Sequence, residues 1–284
     1  DVTFEDAEDS VKTIMLLHPS WHESSRVFRD LLLGIKQGAL ESEVHLQFMA
    51  SNQTTPMLSD TLLFSDAALR PDGILLFEYE GYESHAKQLL EMRIPCLLVG
   101  APSHDPRIPS VHADEVLAGY VAAQHLLQLG HRSIIVVTDQ VQSAYIEERI
   151  EGYRKALAEF NLDFGAENIV TTGIEKPFTA QLADDYPHAT GMLILNEATL
   201  KNTLPALSEQ GYAIPNDLSV VTFDDTEIAR HLKPGITSVK YPLYEEGYWS
   251  IKMMSGFVQT PSLVHFRLQF RATLVARKSC KAME

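Results

Sequence analysis

Apolar runs of strand length alternate with helical segments along this chain, and that alternation restricts it to βαβ units wound around a parallel sheet. Thr13 to Leu17 reads as the first strand, and the Ser24 to Ala39 segment carries a helical apolar stripe at Val27, Phe28, Leu31, Leu32 and Ile35. Strands are expected next at Val44 to Met49, Gly73 to Phe77 and Pro95 to Val99, with a helix at Glu83 to Met92. Pro102 to Pro109, with three prolines, interrupts the pattern as a crossing loop and a candidate lobe boundary. The alternation then restarts, with helices at Val116 to Leu129, Ile146 to Phe160 and Ala198 to Gln210. Strands are expected at Ser133 to Val137, Asn168 to Thr172, Met192 to Leu195 and Leu218 to Phe223. Gly130 and Gly211 follow two of these helices as C-terminal stops. A helix at Glu245 to Phe257 and strand-like runs at His265 to Phe270 and Ala272 to Ala276 close the pattern. At 284 residues and 45% hydrophobic content the chain exceeds one ordinary domain, so two lobes are expected, with a ligand site in the cleft that their strand ends face.

The formal charge of −15 makes this segment a poor ligand for polyanions, so it is not itself a nucleic-acid reader. Its apolar runs fall short of the roughly 20 residues a membrane span needs. Cys96 and Cys280 give neither metal spacing nor a disulfide framework, which favours a reducing, cytoplasmic setting. The acidic start at Asp1, without an initiator methionine, predicts that residues 1–10 are the remnant of a linker to a removed piece.

The run Leu218 to Phe223 stops on two adjacent carboxylates, Asp224 and Asp225. As a strand buried on both faces it places Asp224 at its carboxyl end, where ligands of open α/β sheets bind. Either acid, or Thr226, also suits the N-cap of a short helix from Thr226 to His231. No phosphate-binding glycine loop, nucleophile elbow or Cys/His cluster points to an enzyme. Paired acids adjacent in sequence, such as Asp184-Asp185, do not converge on one bond. No cofactor is expected. His18 and His22 have helical metal spacing, but Pro19 makes a regular helix through them unfavourable, so no metal site is expected there.

Several stretches, in order, resemble the effector-binding domain of LacI/GalR-family transcription regulators. They are Arg70 to Leu76, Ile94-Pro95, Val111 to Asp114, the helix end His125 to Arg132, Arg149 to Tyr153, Phe223 to Thr226 and Leu274 to Cys280. The resemblance covers almost the whole chain. It implies an α/β, periplasmic-binding-protein-like fold of two doubly wound parallel-sheet lobes joined by three crossovers. The lobes would be 11–113 with 242–270, and 114–241 with 271–284. It also implies a sugar-like small-molecule effector, a homodimer without membrane association, and operator DNA bound through an N-terminal domain of LacI or GntR type. Effector binding would favour a closed arrangement of the lobes and reposition the DNA-binding heads. The Gly235 to Leu243 stretch would be the last crossing between lobes.

Residue by residue, the resemblance makes Arg149 a fork onto effector oxygens, where the bland alternative is pairing with Glu147, Glu148 or Glu151 on its own helix. It makes Asp224 the effector-binding aspartate and Asn196 a ligand-contacting amide, the alternative for Asn196 being a helix cap. Tyr241 is expected either beside the effector or in the core. Trp21 offers an apolar face to a sugar ring and His22 a polar edge, and Phe178 is a further aromatic candidate. One departure stands out: Gly100 occupies the end of the fourth strand, where many sugar-responsive members carry an aspartate. A secreted periplasmic sugar-binding protein is the alternative function. The regulator-like His125 to Arg132 and Leu274 to Cys280 stretches, with Cys96, count against it.

Overall fold

The structure, a computed structural model, describes residues 11–19, 26–51, 70–77, 82–139, 144–172, 182–259 and 266–283. The chain splits into two compact units, Asp1–Ala113 with Pro242–Phe270 and Asp114–Tyr241 with Arg271–Glu284, and passes between them three times. It opens with β1 (Thr13–Pro19), α1 (Arg26–Glu41), β2 (His45–Ser51), β3 (Gly73–Phe77), α2 (Tyr82–Glu91), β4 (Cys96–Val99) and β5 (Ser110–Ala113). The second unit begins with α3 (Glu115–Gln128), β6 (Ile134–Thr138), α4 (Ala144–Glu159), β7 (Ile169–Thr171), α5 (Leu182–Asp185) and β8 (Gly191–Ile194). It continues with α6 (Glu197–Glu209), β9 (Ser219–Thr222), α7 (Glu227–His231) and β10 (Thr237–Lys240). The chain then returns to the first unit for α8 (Leu243–Gln259) and β11 (Arg267–Phe270) and ends in the second with β12 (Thr273–Val275).

The first sheet has the order β11-β5-β4-β3-β1-β2, with parallel neighbours throughout. Its inner strands β1, β3, β4 and β5 are buried on both faces, and the pleat divides their side chains between two cores. Ile14, Leu16, Leu75, Leu97 and Val99 pack with Leu31 and Ile35 of α1 and Ile251 and Met254 of α8. Met15, Leu17, Ile74, Leu76 and Leu98 pack on the opposite face with Ala86 and Leu89 of α2. The second sheet, β12-β10-β9-β8-β6-β7, repeats this winding, with the β10–β12 pair antiparallel and the others parallel.

Two expectations require correction. Pro102 to Pro109 is no boundary between units: the chain continues into β5, still within the first sheet, and leaves that unit after Ala113. The Gly235 to Leu243 stretch is not wholly a crossing, because Thr237–Lys240 forms β10 inside the second sheet. Both strands were hidden by buried polar residues. Ser110 and His112 in β5 and Thr237 and Ser238 in β10 are at most 1% exposed, yet they break the apolar run that marks a buried strand.

Candidate functional site

In the second sheet β6 lies between β7 and β8, so the chain winds to one side after β6 and to the other after β7. Such a switch point is where open α/β sheets bind ligands, outside the carboxyl ends of the strands. Three short segments reach that edge: Thr138-Asp139 at the end of β6, Leu195-Asn196 after β8 and Phe223-Asp224 after β9.

Arg149 joins the last two, and Asn196 carries the link on to Asp139. Arg149 projects from α4 and is only 4% exposed. Its Nε and Nη2 donate to the two carboxylate oxygens of Glu115 at 2.7 and 3.2 Å, and Nη1 donates to the Leu195 carbonyl. Nη2 also lies 3.5 Å from Asp224 Oδ1. The rings of Phe223, Tyr145 and Tyr241 have centroids 4.6, 4.8 and 5.3 Å from the guanidinium carbon, so the cation is enclosed by π faces as well as carboxylates. Burial opposes this charge, but Glu115, Tyr241 and Asp224 together hold the guanidinium well above its ordinary pKa. Arg149 is therefore no surface arginine paired along its own helix, and the fork expected for an effector is directed here to Glu115. Tyr241, 6% exposed, donates its hydroxyl to Glu115 Oε2 at 2.6 Å.

What brings Glu115 to Arg149 is the contact between α3 and α4. A methyl group on Gly119 would overlap the Arg149 carbonyl, and one on Gly152 would overlap the Val116 carbonyl, so the two backbones touch through glycine from both sides. Glu115 is the first residue of α3, whose N-cap Asp114 accepts from the Leu117 amide at 2.9 Å. An acid in the first turn of a helix reads from sequence as a complement to the helix dipole, which is why Glu115 escaped sequence reasoning. Tyr145, Asp139 and the Gly119–Gly152 contact gave no separate signal either.

Asp224 and Asp225 both adopt left-handed backbone, with φ of 73° and 42°, a conformation that aspartate tolerates better than most residues. The turn gives the adjacent acids different surroundings. Asp224 stays beside Arg149, where burial, then the carboxylates of Glu115 and Glu197, overcome Arg149 and push its pKa up to about 6. Asp225, 3% exposed, accepts Arg230 Nε and Nη2 at 2.9 and 2.6 Å on one oxygen and Arg277 on the other. Its amide donates to Ser238 Oγ at 3.0 Å, so it ties the β9–α7 turn to β10 and to the segment after β12. Of the cap alternatives, Thr226 is the N-cap of α7.

Asn196 caps α6: its Oδ1 accepts from the Thr199 amide at 2.8 Å, and its Nδ2 donates to Asp139 Oδ1 at 2.6 Å. Trp21, His22 and Phe178 lie outside the described residues. Gly100, at the end of β4, has φ of 86°, a backbone that a residue with a side chain would adopt only under strain. Among the described residues no group of three or more His, Cys, Asp or Glu side chains could hold a metal ion, and no helix is long and apolar enough to cross a membrane.

The sequence matches two related families. The family described as periplasmic binding proteins and sugar binding domain of LacI family matches residues 11–184, and the periplasmic binding protein-like domain matches residues 123–280. Catabolite control protein A of Priestia megaterium is 26% identical over 69% of this chain, and the ribose operon repressor of Haemophilus influenzae is 23% identical over 96%. The matched part spans 64% of the length of the first relative and 82% of the second. Among solved structures, a complex of the transcriptional regulator CelR with cellobiose aligns with a TM-score of 0.83 at 22% identity, covering 94% of this chain and 84% of that one. A LacI family transcriptional regulator from Enterococcus faecium with bound ribose aligns with a TM-score of 0.79 at 22% identity, covering 96% of this chain and all of the other. Each family match covers more than half of the 284 residues, and the chain belongs to the LacI family of periplasmic-binding-protein-like, sugar-binding domains.

Proposed function

We propose that this chain is the effector-sensing domain of a bacterial transcription regulator of repressor type, and that it binds a small sugar-like molecule beside Arg149 and Asp224. The observation that carries the reading is the buried Arg149 cluster at the carboxyl edge of β6, β8 and β9, where a doubly wound sheet binds its ligands. Asp224 accepts hydrogen bonds from sugar hydroxyls, Arg149 supplies its remaining Nη1 proton, and Asn196 and Tyr241 border the same group. Trp21, His22 and Phe178 complete the candidate set as aromatic and polar contacts. The domain carries out no chemistry. Its ligand acts by favouring one state of the domain over another, which requires unequal affinity for the two.

DNA recognition is assigned to a part of the protein outside these 284 residues, because a segment with a formal charge of −15 lacks the basic surface for it. The protein works as a homodimer in the cytoplasm. Relatives named as a control protein and as repressors favour this reading over a transport component. Thermal denaturation in the presence of a panel of neutral mono- and disaccharides, beginning with D-ribose and cellobiose, tests it. A ligand at 100 times its Kd stabilises the native state by about 2.7 kcal/mol, enough for a shift of several degrees. A panel that leaves the midpoint unmoved throughout contradicts the proposal.

A further inference from the structure

The positive charge of Arg149 is already more than offset by its neighbours, and this restricts what the site can hold. The guanidinium carries one positive charge. Glu115 takes Nε and Nη2 at 2.7 and 3.2 Å, and Asp224 lies 3.5 Å from Nη2. Glu197, the first residue of α6, adds negative potential at Asp224, and Asp139 is held against Asn196 at 2.6 Å. On the opposite side of the account, Lys201 lies 3.0 Å from Glu197, on the exposed part of α6, and Arg230 and Arg277 are engaged by Asp225. Tyr241 contributes a hydroxyl already donated to Glu115. The immediate pair of carboxylates outnumbers the buried cation before any ligand arrives.

Resting on the effector reading above, we infer that this site selects an uncharged polyhydroxyl ligand and rejects phosphorylated or carboxylated sugars. A sugar hydroxyl can donate to Asp224 and accept from Arg149, so a neutral ligand satisfies both groups without altering the charge. A phosphate or uronate brings a further negative charge against Glu115 and Asp224 in a poorly solvated setting, and like charges juxtaposed in this way are strongly disfavoured. Arg149 cannot offset it, because its bidentate edge is occupied by Glu115. Glu115 is thus a specificity residue that acts through Arg149 and needs no contact with the ligand.

Titration calorimetry with matched pairs, D-ribose against D-ribose 5-phosphate and D-glucose against D-glucuronate, tests the inference on the wild-type chain. The neutral member of a pair is expected to bind, and its charged partner to bind at least about a hundredfold more weakly. Glu115→Gln is expected to narrow that gap by about tenfold or more by removing one charge while keeping an acceptor for Arg149, and Asp224→Asn, which leaves the Arg149–Glu115 pair in place, narrows it in the same direction. Equal or tighter binding of the charged member, with loss of both affinities on Arg149→Met, overturns the selectivity and leaves the effector reading standing. A gap that neither carboxylate variant narrows also overturns it, since rejection would then be steric. Failure of every neutral and charged sugar to bind overturns both readings together.

Discussion

Glu115 and Arg149 form the buried ion pair on which the local geometry depends, with side chains 7% and 5% exposed. Removing one partner from such a pair leaves an uncompensated charge inside the protein, which costs about 3–5 kcal/mol. Glu115→Ala is therefore expected to lower the urea-unfolding free energy by that amount, and a loss below about 1 kcal/mol would show that the pair is solvated. Asp224 behaves in the opposite sense. Its pKa is raised from 3.8 to about 6, so the folded state holds a proton that the unfolded state releases, and stability falls as pH rises through that window. At about 1.4 kcal/mol per unit, the cost at pH 7 is roughly 3 kcal/mol. Asp224→Asn removes it and keeps a residue that tolerates left-handed backbone. The variant is expected to be about 2–3 kcal/mol more stable than wild type at pH 7 and no more stable near pH 4. A variant less stable at pH 7 would mean that attraction to Arg149 outweighs burial. The separation of Asp224 from Asp225 was legible only in outline, because it depends on two left-handed residues and on Arg277, 52 positions away, none of which leaves a local pattern.

Among the elements, α3 and α4 carry the site, and their contact is set by two glycines. Gly119→Ala places a methyl group against the Arg149 backbone, and the helices must separate to admit it. Overpacking of this kind costs about 1–3 kcal/mol, and the displacement also moves Arg149 from Glu115. Urea unfolding of Gly119→Ala is expected to show that loss together with weaker sugar binding, whereas an unchanged midpoint would mean that the helices have room to spare. Most elements could be read from their apolar runs: β3, β4, β6 and β8 are apolar or β-branched apart from an opening glycine in β3 and β8, and β1 and β9 depart from this only at His18-Pro19 and Ser219. Gly130 and Gly211, with φ of 93° and 84°, end α3 and α6 as expected of C-terminal glycines. β5 and β10 were missed because their inward residues are serine, histidine and threonine. Ser238 and Thr237 are buried there to accept from the amides of Asp225 and Arg277, a demand set by neighbours distant in sequence.

At the scale of the whole molecule, two sheets of the same winding order share one chain, and family membership fixes the class of protein. The chain's acidity disfavours polyanions, and the crowding of carboxylates about one buried arginine agrees with the neutral ligand proposed above. The central claim is that Asp224 receives that molecule. Calorimetry of Asp224→Asn with the sugar that stabilises the wild-type chain tests it most directly, because this variant is expected to remain folded at pH 7. Loss of hydrogen bonds to a charged acceptor, worth about 1.5–3 kcal/mol, predicts a Kd raised about ten- to a hundredfold. An unchanged Kd in a folded Asp224→Asn protein would contradict the account.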